Sequence, residues 1–142
     1  MLNRIDSALT PKRATKHSAG YDIVAPYNYE IDNVESTIID TGIFLTDDVF
    51  DDCLSTDIFA MIVPRSSYGF KYGLRFDNTV CIIDADYRDS IKLSCKATTP
   101  FVLKEGDRFA QLIFIRYHRL ENEEVPKRER NGGIGSTDSH EH

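Results

Sequence analysis

No stretch of this 142-residue sequence approaches the ~18 consecutive apolar residues that a membrane-spanning helix requires. The N-terminal "MLNRIDSALTPKRATK" also lacks the apolar core of an export signal. Both absences point to a protein with no membrane partner that stays where it is made: the cytoplasm, or the host cytoplasm for a viral or phage chain. Cysteine is scarce and odd in number. Cys53, Cys81 and Cys95 share no metal-type spacing, so they read as small core or near-core residues of a reducing compartment. CxxC, HExxH and a Walker-type phosphate loop are all missing. Helical periodicity is missing too, beyond a turn or two near residues 66–71.

Positive charge is the other shortfall. Seventeen basic against 23 acidic residues leave a net charge of −6, and such a surface repels polyanions, which argues against a nucleic-acid partner. A small phosphorylated ligand is not excluded, because a pocket needs only a few well-placed cations.

What the chain does have is strand signal. "YDIVAPYNYEI" (21–31), "STIIDTGIFLT" (36–46), "DIFAMIVP" (57–64), "YGLRF" (72–76), "TVCIID" (79–84), "SIKLSCKAT" (90–98), "FVLKEGD" (101–107) and "RFAQLIFIRYH" (108–118) are short, β-branched or aromatic and often alternating. In "SIKLSCKA", Ile91, Leu93 and Cys95 fall on one face and Lys92, Ser94 and Lys96 on the other. Asp32-Asn33, Thr41-Gly42, Tyr68-Gly69 and Glu105-Gly106-Asp107 punctuate the strands. One all-β domain over residues 1–120, a jelly roll or distorted barrel, is expected. From residue 121 to 142 the composition turns charged and then Gly/Ser-rich, giving either a frayed tail or an arm that orders over a ligand.

The apolar run "TVCII" ends abruptly in Asp84, Asp86 and Asp89, with Tyr87 and Arg88 between them. A turn needs fewer carboxylates than this. Four other stretches stand out: "AGYD" (19–22), "PRSS" (64–67), "GDRFAQLIF" (106–114) and "NGGIGST" (131–137). Each alone reads as a turn, a surface loop or a linker. In this order and at these distances, from Pro11 to Thr137, the set AGYD, PRS, N-x5-D-x-DYR, GDR-x-AQ-L and R-N-GG-x-GST resembles the homotrimeric dUTP pyrophosphatase (dUTPase) family.

The resemblance implies a jelly-roll-like subunit in a homotrimer, hydrolysing dUTP to dUMP and pyrophosphate with Mg²⁺. Such an activity keeps uracil out of DNA and supplies dUMP for dTTP synthesis. It further implies that each active site draws on three chains: one gives the first, second and fourth motifs, another the third, and the last the C-terminal arm. On the same basis Asp84 is the base that activates water against the α-phosphorus. Asn78 and the strand edge through Ile83 read the uracil, and Tyr87 packs on the deoxyribose and excludes a 2′-hydroxyl. Arg65, Ser66, Ser67 and Gln111 address the phosphates, and Asp22 meets the Mg²⁺ shell through water. Arg130, Ile134, Gly135, Ser136 and Thr137 belong to the arm, with Arg128 an alternative to Arg130 at the γ-phosphate. Asp107 and Arg108 are expected to brace a turn and subunit contacts, Asp86 to steady its own turn, and Asp89 to be solvated.

Departures from the family pattern are visible. Ile134 stands where most members have a stacking Phe, Ser67 replaces a common Gly, Arg130 is one residue closer to Gly132-Gly133 than usual, and Asp138 follows "GST". Loss of stacking by Ile134 weakens the lid by roughly 0.5–1.5 kcal/mol. These changes keep a second reading open, a catalytically slow dUTP-binding sensor or protein-interaction module on the same scaffold. Deamination of dCTP, a sister activity, is disfavoured by the Asp-x-Asp-Tyr-Arg arrangement.

Overall fold

Alternation of small or branched apolar residues builds the central sheet. In the computed structural model, which describes residues 10–46 and 57–127, the backbone of 2–4, and residues 130 and 138, that sheet has five strands. They are β2 (Lys12–Arg13), β3 (Tyr21–Val24), β12 (Arg108–Arg116), β7 (Ile58–Pro64) and β9 (Cys81–Ile83), in this spatial order and antiparallel throughout. Along β7, Ala60 and Ile62 are fully buried while Phe59, Met61 and Val63 are only half-buried. The period of two therefore turns one sheet face to the core.

A second, three-stranded sheet runs β5 (Thr37–Asp40), β10 (Lys92–Ala97), β8 (Leu74–Phe76). Its middle strand buries Leu93, Cys95 and Ala97 and leaves Lys92, Ser94 and Lys96 half-exposed, the alternation expected from "SIKLSCKA". Two ribbons complete the described elements: β4 (Tyr29–Ile31) with β11 (Phe101–Leu103), and β1 (Leu2–Arg4) with β6 (Ile43–Leu45). Phe109, Ile23, Ile39, Ile91 and Leu112 are fully buried between them.

Three expected strands are interrupted. The 21–31 segment breaks at Ala25–Asn28, where the Ala25 amide donates to Asp107 O and the Gly106 amide to Ala25 O. The 36–46 segment breaks at Thr41-Gly42, with Gly42 at φ 66°, a left-handed conformation that suits glycine. The first residue of the "YGLRF" segment, Tyr72, ends a helix, α1 (Ser66–Tyr72), which closes on Gly73 at φ 64°.

Cys81 and Cys95 are buried free thiols. Burial pushes the Cys95 thiol up to about 12, so it stays protonated and inert at neutral pH. No described helix is long and apolar enough to cross a membrane. Cys53, Arg128, Gly132, Gly133, Ile134, Gly135, Ser136 and Thr137 lie outside the described residues.

Candidate active site

Those sequence-predicted residues that the structure describes gather in two clusters at different ends of the central sheet. The first is built where β3, β12 and the exit of β7 meet. Asp22 pairs across the ladder with Gln111, and Gln111 with Val63. Between Arg108 and Ala110 the β12 register shifts. This bulge lets Phe109 and Ala110 both be fully buried and re-aims Arg108 outwards. The Phe109 carbonyl accepts the Arg65 amide at 2.9 Å, fixing the start of α1.

Asp22, 8% exposed, then lies between two guanidiniums: Arg65 Nε and Arg108 Nη1, each at 3.4 Å. Arg65 Nη1 also donates to Arg108 O at 3.3 Å. Two cations against one anion leave a net positive corner on an otherwise acidic protein. The exposed Ser66 and Ser67 follow Arg65 directly. Gly20 lies so close to Gln111 that a Cβ there would stand 2.9 Å from Gln111 Cβ and 2.5 Å from its Oε1. Glycine is needed here for close approach, not for an unusual φ. Asp107 and Arg108 were expected together to brace a turn and subunit contacts; Asp107 Oδ2 accepts the Lys104 amide at 3.1 Å within that turn, and the Arg108 side chain lies on Asp22.

The second cluster surrounds β9. At its entry, Asn78 occupies an exposed hairpin turn, where its carbonyl accepts the Val80 amide at 2.8 Å. The next residue, Thr79, has φ 69°, a costly conformation for a β-branched residue, on the order of 1–3 kcal/mol. The Asn78 side chain bonds the Cys81 thiol, whose titration is pushed up by burial. Ile83 buries its side chain in the core, 5% exposed, which leaves only its backbone available for contact.

Beyond the exit of β9, the Tyr87 amide donates to Asp84 O at 3.0 Å and closes the turn. The Asp84 carboxylate stays 57% exposed and receives Arg130 Nη2 at 2.6 Å; Asp86 receives Arg130 Nε at 2.9 Å. The Arg130 guanidinium also lies 5.6 Å from the centre of the Tyr87 ring, a cation–π distance. Asp86 is thus engaged by the arm arginine, a pairing that no local pattern announces because the residues are 44 positions apart. Asp89 accepts the Ser90 amide at 2.8 Å. Tyr87 is buried, and burial, with the Asp89 charge second, raises its hydroxyl above its ordinary range.

The register sets the separation of the clusters. Ile83 faces Ala60, whereas Gln111 faces Val63, and Asp22 lies three strands from β9. With ~3.3 Å per residue and ~4.8 Å per strand, Asp22 and Asp84 are roughly 19 Å apart. One phosphate group cannot touch both clusters of the same chain.

Fold and site define the class first: an all-β protein with a donor-rich, cationic corner and a separate carboxylate-bearing turn. A family model described as dUTPase matches residues 6–139, and this chain belongs to the dUTPase family. The deoxyuridine 5'-triphosphate nucleotidohydrolase of Rickettsia akari is 37% identical over 139 residues, covering 92% of this chain and 89% of that protein. The protein of the same name from Shewanella denitrificans is 39% identical over 109 residues, covering 74% of this chain and 68% of its own. Among solved structures, dUTPase from Streptococcus mutans matches with a TM-score of 0.71 at 27% identity, covering 85% of this chain and 98% of that one.

Proposed function

We propose that this protein hydrolyses dUTP to dUMP and pyrophosphate in the cytoplasm, as a homotrimer whose active sites are shared between subunits. The observation that carries the reading is the Asp84 carboxylate, held exposed at the end of a rigid strand in a chain of this family. There it can aim a water at phosphorus and take its proton. Tyr87 covers the sugar, and Asn78 with the β9 backbone meets the two carbonyls and the N–H of uracil. A wrong base leaves such donors and acceptors unpaired, which is how cytosine is rejected.

Arg65, Ser66, Ser67 and Gln111 supply phosphate donors, while Asp22 keeps Arg65 and Arg108 in place. The family implies Mg²⁺. Among the described residues no group of three or more His, Cys, Asp or Glu is arranged to hold a metal, which fits an ion carried chiefly by substrate oxygens and water. Asp22 is then an outer-sphere partner, and the ion's contribution when bound is to offset charge on the phosphates.

Sharing between subunits is supported by the ~19 Å gap and by an apolar face that is half-exposed among the described residues. Met61 pairs with Ile82 on one side and Ile113 on the other, and Phe59 with Ile115. Ile82 is 51% exposed. A patch of this kind on the outer face of a sheet suits a second copy of the chain. Residues 1–120 form the body in this reading and 121–142 the arm that carries Arg130, Ile134, Gly135, Ser136 and Thr137 over the phosphates.

Initial rates of pyrophosphate release from dUTP, dCTP, dTTP and UTP, with and without Mg²⁺, test the proposal: only dUTP should turn over quickly. The placement of Arg130 on Asp84 favours one second reading, a catalytically slow dUTP-binding module whose general base is ion-paired. Tight dUTP binding without turnover would select it. Gly20→Ala should push Gln111 aside and lower kcat/KM for dUTP by roughly tenfold, since small misplacements of positioning groups are costly. Steady-state kinetics beside a melting curve would separate this from unfolding.

A further inference from the structure

Tyr87 is anchored at its tip. Its Oη donates to the backbone carbonyl of Ser90 at 2.9 Å. That carbonyl belongs to an irregular link between the Asp84 turn and β10, so no ladder fixes its position. The link is held instead by the turn between β5 and β6. Ser90 Oγ donates to Asp40 Oδ1, and the same oxygen accepts the Gly42 amide at 3.0 Å. Next to it, the Thr41 amide and Oγ1 both donate to Ile91 O, at 2.9 and 2.7 Å, and the Ile91 amide donates to Ile43 O at 3.0 Å. Ser90, Thr41 and Ile91 are all buried.

We propose that Asp40 and Ser90 are positioning residues for sugar selection: through the Ser90 carbonyl they fix the Tyr87 ring, and with it the space denied to a 2′-hydroxyl. The proposal rests on the reading of Tyr87 as the residue that covers the deoxyribose. Neither Asp40 nor the Ser90 hydroxyl is placed on the nucleotide. An apolar wall rejects an added hydroxyl only by close fit, worth at most about 10² in kcat/KM. A ring free to pivot by a fraction of an ångström surrenders much of that. The carboxylate 50 positions away therefore sets a specificity that no local motif encodes.

The test compares kcat/KM for dUTP and UTP in wild type, Asp40→Ala, Asp40→Asn and Ser90→Ala, with the quaternary state checked for each. Asp40→Ala and Ser90→Ala should each lower the dUTP:UTP ratio about tenfold, mostly through better use of UTP, with kcat for dUTP changed less than about twofold. Asp40→Asn keeps the acceptor oxygen and should restore the ratio, which a merely structural defect would not do. If Asp40→Ala does not fold, Ser90→Ala reads the same bond. An unchanged ratio in a folded Ser90→Ala or Asp40→Ala enzyme overturns the proposal while leaving the hydrolase reading intact. A wild type that cleaves dUTP and UTP alike removes the role of Tyr87 and the proposal together.

Discussion

Asp84→Asn should lower dUTP turnover by ~10²–10⁴-fold, the usual worth of a positioned general base, while leaving dUTP binding within a few-fold of wild type. The substitution keeps the shape of the side chain and one acceptor for Arg130. Because the Asp84 carboxylate is 57% exposed, the exchange costs little stability, within about 0.5 kcal/mol for a surface position. The carboxylate's share in the reaction is thereby isolated from its share in the fold. Rapid-quench hydrolysis and calorimetric binding of a non-hydrolysable dUTP analogue read the two halves separately. A variant that turns over at the wild-type rate would move the base elsewhere, and Asp86 would be the next carboxylate to test, since it lies in the same turn and shares Arg130 with Asp84.

Strand content was legible because burial in a sheet writes a period of two directly into the sequence, as in β7 and β10. The breaks within strands were harder to see. Nothing local says that the Ala25 and Gly106 backbones bond each other, since that turn is closed by a segment some eighty residues on. Asp22, Arg65 and Gln111 were legible as a set through motif order, and the structure brings them to one corner. The contact of Arg108 with Asp22 was not legible, because it joins residues 86 positions apart next to the β12 bulge and no local spacing shows it. Asp86 and Asp40 were invisible as partners of Arg130 and Ser90, because their pairing depends on chain crossings and not on spacing. Ile83 shows the opposite limit, a residue named for the site whose side chain points into the core.

Two inactive variants mixed together should regain activity. In one, Asp84→Asn, the carboxylate turn is disabled; in the other, Arg65→Ala, the cationic corner is. The two groups are separated by the width of the central sheet, so under the proposed sharing a working site takes them from different subunits. In a randomly mixed 1:1 trimer, a given site draws an intact Asp84 with probability one half and an intact Arg65 independently with probability one half. About a quarter of the sites are then wild type, so activity should rise from near zero to about a quarter of the wild-type value after co-refolding or subunit exchange. Sites completed within single subunits would give no recovery at any mixing ratio, because every chain would carry its own lesion. Arg65→Ala alone also releases Asp22 from one of its two guanidiniums. Retention of the Arg108 contact at 3.4 Å is what keeps that carboxylate from being left buried and unpaired, an expense that otherwise threatens the fold. The Arg65→Ala double with Asp84→Asn in one chain, diluted with unmarked wild type, provides the reference. Its trimers with one doubly altered subunit keep one of three sites when the two groups come from different chains and two of three when they come from one. The dilution curve therefore distinguishes shared from self-contained sites even where refolding of the two single variants is unequal.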